Sequence, residues 1–154
     1  MRAVVLTLRL VQLITALATL VTAVAVVHWF NMNSGKASPA AFNILVAVPI
    51  YAFISLFYLE AIPRIAPSAS HPIPSLFFEA STVIFFLAGC GASAHFVARL
   101  EMCVGLICGA AKAAPVFAGL AVPCWIGTTV LLASQIFTHG FRRPSASRPA
   151  MSQA

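Results

Sequence analysis

The stretch VVLTLRLVQLITALATLVTAVAVVHWF, residues 4–30, decides the fold of this chain. It is an apolar run long enough to cross the hydrocarbon core of a bilayer, for which a helix needs about 20 residues. Arg2 precedes the run and the aromatic cluster HWF, residues 28–30, closes it, as is usual where a helix meets a membrane interface. We therefore expect a first transmembrane helix over residues 5–30.

The same stretch has a second interpretation as a secretory signal peptide. Arg2 and Arg9 would be its basic start, and Ala23-Val24-Ala25 its small-residue cleavage signal. The apolar run after Arg9 is longer than the core of a signal peptide, which spans about 7–15 residues. We therefore prefer an uncleaved helix.

The composition of the whole chain indicates a membrane protein. Hydrophobic residues make up 61% of the sequence and charged residues only 8%, against about 45–50% and about 25% in soluble domains. The net charge is +6, but the basic residues lie mainly at the edges of apolar runs and form no lysine-rich stripe. This pattern favours membrane lipids as partners and argues against nucleic-acid binding.

Three more apolar runs follow, and they predict spans over 40–62, 75–98 and 113–138. Residues 1–138 then form one four-helix transmembrane bundle. Residues 139–154 are basic and rich in Ser and Pro, which predicts a disordered tail. The segment 99–112 has two interpretations: it is a short loop outside the membrane, or the fourth helix begins early.

The distribution of basic residues predicts the orientation of the bundle. With four spans, both termini and the second loop lie on one side, and the positive-inside rule places the more basic side in the cytoplasm. Both termini are therefore expected to be cytoplasmic. The terminal side holds Arg2, Arg9, Arg64, Arg142, Arg143 and Arg148, and the other side holds Lys36, Arg99 and Lys112.

Two ionisable residues fall inside predicted spans. Arg9 lies in the first span, with Gln12 one turn later, and Glu79 lies one turn inside the third. Both charges enter from the same side at similar depth, so we expect Arg9 and Glu79 to form a structural ion pair. A proton or substrate relay is the alternative, because intramembrane charges often line a pathway.

Two further features concern modification. Cys103 and Cys108 would lie on the extracytoplasmic side, where disulfides form. A bridge between them requires a loop, because five residues of helix would separate the two cysteines too far.

In the tail, Arg142 and Arg143 precede Ser145 in the arrangement that basophilic kinases favour. A phosphate on Ser145 would release the tail from anionic lipids. The alternative is that Ser145 is never modified and the arginines only anchor the topology.

The sequence shows no nucleophile–His–acid set, no phosphate loop, no haem motif and no zinc-ligand spacing. We therefore expect no enzymatic activity, no metal and no cofactor.

Several stretches in order resemble one family. The chain is similar, over about residues 5–138, to the fungal branch of the MARVEL domain family of four-helix membrane proteins. It departs from the family in a short third loop, and in Phe86 where members often carry Trp, which bears on the loop disulfide more than on the fold. The stretches are RLVQ at 9–12, the aromatic span 51–63, SLFFE at 75–79 with VIFFLAG at 83–89, and CGAAKAAPVFA at 108–118 followed by Trp125.

The resemblance implies a non-enzymatic protein that organises membrane domains, vesicle trafficking or membrane apposition. It implies the plasma membrane or a secretory-pathway membrane as its location, with lipids, sister copies or other membrane proteins as partners. The alternative is a small transporter or channel subunit that uses Arg9 and Glu79. A water-filled cavity lined by both residues would favour transport, and a closely packed bundle would favour the organising role.

Overall fold

The computed structural model describes residues 2–33, 38–65, 72–99 and 105–139, without the side chains of residues 2, 3, 62–64, 72 and 139. Four helices make up nearly all of these residues, and each is long and apolar enough to cross a membrane. The predicted four-helix bundle is therefore confirmed. The helices are α1 (Arg2–Asn33), α2 (Ala40–Ile65), α3 (Pro72–Ala98) and α4 (Leu106–His139).

The helices form a ring in which α2 and α4 each pack against both α1 and α3. Consecutive helices run in opposite directions. Phe42, near the start of α2, contacts Phe96 near the end of α3, and Phe96 also contacts Phe30 near the end of α1. One end of the bundle therefore holds the start of α1 and the end of α4. We call it the terminal end.

Proline and glycine set two of the helix starts. Pro39 accepts the first backbone hydrogen bonds of α2 from Phe42 and Asn43, at 3.0 and 3.3 Å. Gly105 precedes α4 with a φ of 96°, a left-handed conformation that glycine adopts without steric cost. Its carbonyl then accepts the amide of Cys108 at 3.2 Å, which opens the helix.

Six helix bounds differ from the expected spans, five of them by one to three residues. Helix α4 begins at Leu106, seven residues ahead of the expected start at residue 113, so Lys112 lies within it. Of the two interpretations of 99–112, the early start is the one found. Helix α3 begins at Pro72, because proline is compatible with a first helical turn. Helix α2 continues to Ile65, because the apolar pattern does not define terminal turns sharply.

Alanines of α4 provide the closest packing surface of the bundle. Small side chains allow helix backbones to approach in a membrane, where van der Waals packing drives association. In the small-residue segment 88–94 of α3, Gly89, Cys90 and Ser93 face inward, while Ala88 and Gly91 are exposed, since one helix face cannot hold consecutive residues. The buried alanines of α4 are Ala111, Ala114, Ala118 and Ala121.

The surface and the interior have the polarity of a membrane protein. Large apolar side chains are exposed along all four helices, for example Ile14, Phe57 and Phe77, each at 64–66%. Several polar side chains are fully buried, and some bond to a neighbouring helix, such as Thr82 of α3, whose hydroxyl donates to the Ser55 hydroxyl of α2 at 3.3 Å. Because lipid is the solvent for the outer surface, the chain is an integral, multi-pass membrane protein.

Candidate functional site

The structure brings together Arg9 of α1 and Glu79 of α3. The Arg9 Nη2 donates a hydrogen bond to Glu79 Oε1 and forms an ion pair with it. Glu79 is fully buried, and the side chain of Arg9 is 17% exposed. A charged carboxylate at such a site depends on its partner, because removing an ion from water without compensation is costly.

Gln12 and Thr128 complete a closed set of hydrogen bonds around this pair. Arg9 Nη1 donates to Gln12 Oε1 at 3.1 Å, and Gln12 Nε2 donates to Thr128 Oγ1 at 2.9 Å. The Thr128 hydroxyl donates in turn to Glu79 Oε2 at 2.6 Å. Arg9, Gln12, Glu79 and Thr128 are called the polar network below. Its side chains join α1, α3 and α4.

Helix geometry places the four residues at one depth. Arg9 and Glu79 each lie seven residues after the first residue of their helices, which is about 10 Å at 1.5 Å per residue. Gln12 lies on the same face as Arg9 because it follows three residues later. Thr128 lies eleven residues before the end of α4, about 16 Å by the same count, and its hydrogen bonds to Gln12 and Glu79 place it at the level of the pair.

Within the described residues, the network satisfies its buried groups except at Arg9. Both carboxylate oxygens of Glu79 accept a bond, and Gln12 Nε2 makes a second bond to the carbonyl of Cys124 at 3.2 Å. A guanidinium has five N–H donors, and the bonds to Gln12 and Glu79 engage two of them. The network can therefore hold three helices in register, and it has hydrogen-bonding capacity left at one residue.

Trp125 lies one turn before Thr128 and is fully buried. Its ring stacks on that of Phe86, with centroids 6.5 Å apart. Among the described residues, no acceptor bonds to its indole Nε1. Trp125 therefore acts in the core through its apolar surface.

A cleft of about 80 Å³ opens beside the network between α1 and α4. Arg9 and Thr128 line its inner part, and Gln135 lies at its other end. Glu79 is fully buried and does not line it. The cleft thus reaches the guanidinium but not the carboxylate. The remaining lining residues are Val5, Leu131 and Leu132.

We expect Thr128→Val to destabilise the bundle by about 2–3 kcal/mol, because the substitution leaves Glu79 Oε2 and Gln12 Nε2 without a shared partner. Thr129→Val is the matched control. The Thr129 hydroxyl bonds only to the Trp125 carbonyl of its own helix, at 2.7 Å, so its loss should cost below about 1 kcal/mol. Unfolding of both variants in detergent micelles measures the difference. Equal losses for the two variants would show that the network contributes nothing.

The other residues singled out in the sequence lie partly outside the described residues. Cys108 is in the first turn of α4 and 6% exposed, but Cys103 is not described, so the disulfide between them stays a prediction. Ser145 and the tail from residue 140 onward are not described either. In the described part of the chain, no group of three or more His, Cys, Asp or Glu residues is placed to hold a metal ion.

Sequence reasoning missed Thr128. A threonine within an apolar run resembles an ordinary packing residue, and its hydroxyl can always bond to its own helix. A depth count from the sequence does not find it, since Thr128 lies ten residues inside the expected span 113–138, whereas Arg9 and Glu79 each lie four residues inside theirs. The hydrogen bonds of the folded bundle bring the three residues together.

Comparisons with known proteins agree with the architecture. Residues 2–131 match the family model of MARVEL, described as a membrane-associating domain. No curated protein and no solved structure matches the chain significantly.

Proposed function

Because this chain belongs to the MARVEL family of membrane-associating domains, we propose that it is a non-enzymatic protein that organises the membrane around it. MARVEL domains occur in proteins of membrane apposition and trafficking. The proposed role is to gather lipids or other membrane proteins laterally, in the plasma membrane or a secretory-pathway membrane. Membership in the fungal branch is part of the proposal and rests on the motifs quoted above.

The observation that carries the proposal is the separation of polar and apolar groups. Polar side chains of the spans bond to one another inside the bundle, as in the polar network. Large apolar side chains face outward on every helix, among them Phe57 and Phe77 at 66% exposure. The interior therefore holds the helices together, and the outer surface is what remains available for lipids and neighbouring proteins.

The alternative role in transport finds less support. A transport pathway that uses both ionisable residues needs a cavity that reaches both. The cleft between α1 and α4 reaches Arg9, whereas Glu79 is fully buried behind its hydrogen bonds. The polar network also locks three helices together, which favours a rigid bundle over one that opens alternately to two sides.

The test is reconstitution of the full chain into giant vesicles that contain saturated and unsaturated phospholipids. The protein should concentrate in patches and slow lipid diffusion there, and liposomes that contain it should pass protons and small ions no faster than empty liposomes. A uniform distribution would contradict the organising role. A protein-dependent flux that disappears in Glu79→Gln would establish the transport role in its place.

We also propose that both termini are cytoplasmic, since the basic residues divide six to three in favour of that side. A protease-cleavable tag after residue 154 should be resistant to protease in intact cells and sensitive after lysis. A matching tag in the loop around residue 36 should give the opposite pattern. Cleavage of the C-terminal tag from outside intact cells would reverse the topology.

A further inference from the structure

The cleft between α1 and α4 leaves open space beside the polar network. Its volume of about 80 Å³ is several times the ~10–15 Å³ that a single water molecule needs. It therefore has room for a small polar group, and not for a large folded ligand. Three apolar side chains line it together with Arg9, Thr128 and Gln135.

The cleft extends from the polar network toward the terminal end. Val5 lies one turn before Arg9 in α1, and Gln135 lies two turns after Thr128 in α4. Both directions lead to the same end of the bundle because the two helices are antiparallel. At about 1.5 Å per residue, Gln135 is about 6 Å from the end of α4, near the level of lipid headgroups.

The chemistry of the cleft suits an acceptor of hydrogen bonds. Arg9 is partly exposed there and has three N–H donors beyond the two that its bonds to Gln12 and Glu79 engage. In a medium without water, unused donors of a charged group are costly. The exposed Gln135 adds an amide at the outer end of the cleft. A phosphate oxygen is one of the acceptors with which arginine forms strong, charge-assisted hydrogen bonds.

The charge of the terminal end favours an anionic ligand. By sequence, the residues near this end include three arginines and two glutamates, a net charge of +1, and a basic segment follows α4. The proposed topology faces this end toward the cytoplasmic leaflet, where the anionic lipids concentrate. The five residues are Arg2, Arg9, Arg64, Glu60 and Glu79.

We propose that the cleft binds the phosphate of an anionic glycerophospholipid. The phosphate lies against the free N–H donors of Arg9 at the inner end of the cleft, and Gln135 contacts the headgroup at its outer end. Val5, Leu131 and Leu132 line the passage between them, and the glycerol and acyl chains leave the cleft sideways between α1 and α4. The site opens sideways between two membrane-spanning helices, so a lipid reaches it from within the leaflet. The proposal rests on the organising function and names the lipid class that the bundle would retain.

The test uses the full chain in nanodiscs with equal amounts of phosphatidylserine and phosphatidylcholine, followed by native mass spectrometry of the released protein. The wild type should retain one lipid with about a fivefold preference for phosphatidylserine, the effect of roughly one basic charge. Leu131→Trp fills the cleft and should abolish the preference, and Gln135→Leu should reduce it. Val130→Trp is the matched control, because Val130 is exposed on the same helix and does not line the cleft.

Three results would overturn the site: equal retention by the Leu131→Trp and Val130→Trp variants, no lipid preference in the wild type, or displacement of the lipid by the same concentration of inorganic phosphate. The site and the proposed function fail separately. Patches in giant vesicles without lipid retention would overturn the site alone, and lipid retention without patches would overturn the organising function alone.

Discussion

Replacing either Glu79 or Arg9 by alanine is expected to lower the free energy of unfolding by about 3–5 kcal/mol, because the surviving charge stays buried without compensation. Replacing both should cost less than either single change. The double variant removes the charge together with its need for a partner, and leaves Gln12 bonded to Thr128 and to the Cys124 carbonyl.

A double-mutant cycle in detergent or bicelles measures this coupling. Glu60→Gln is the matched control, since Glu60 is an exposed glutamate near the same end of the bundle, and its change should cost below about 1 kcal/mol. If the double variant loses as much free energy of unfolding as the two single variants together, the observed ion pair contributes no net coupling. A loss at Glu60 as large as that at Glu79 would show that burial is not what makes the residue sensitive.

The second large effect is expected at Gly89, where α3 approaches α2 most closely among the described glycines. A Cβ added at Gly89 would lie 2.9 Å from Leu45 Cδ1, and Leu45 is fully buried. The Leu45 side chain must shift within a filled core to admit the new side chain, so Gly89→Leu should cost about 1–3 kcal/mol, the range for overpacking a core.

Gly91→Leu is the matched control for this substitution. It lies two residues later in α3, where a Cβ would meet nothing within 4 Å, so the change should stay within about 0.5 kcal/mol of wild type. Both substitutions change the helix propensity equally, and their difference isolates the packing term. Thermal unfolding, with crosslinking between α2 and α3, measures it. Equal stability of the two variants would contradict the close approach at Gly89.

Much of the architecture was predictable because the bilayer restricts it. A chain with this composition must satisfy its backbone within each apolar segment, which leaves four helices as the available solution. The common depth of Arg9 and Glu79 followed from counting residues from the same side. The early start of α4 was harder to predict, since alanine, cysteine and glycine are compatible with a loop or a helix. The left-handed backbone at Gly105 sets where this helix begins.

The sequence by itself determined that the chain spans the membrane four times, because length and apolarity alone set the free energy of insertion. Only the tertiary structure decided which side of each helix is inside. In lipid, an apolar or small residue can lie on the inner or the outer face, so hydrophobic periodicity does not distinguish Gly89 from Gly91. The choice depends on packing distances between helices and on hydrogen bonds such as that of Thr128 to Glu79, which exist only once three separate segments meet.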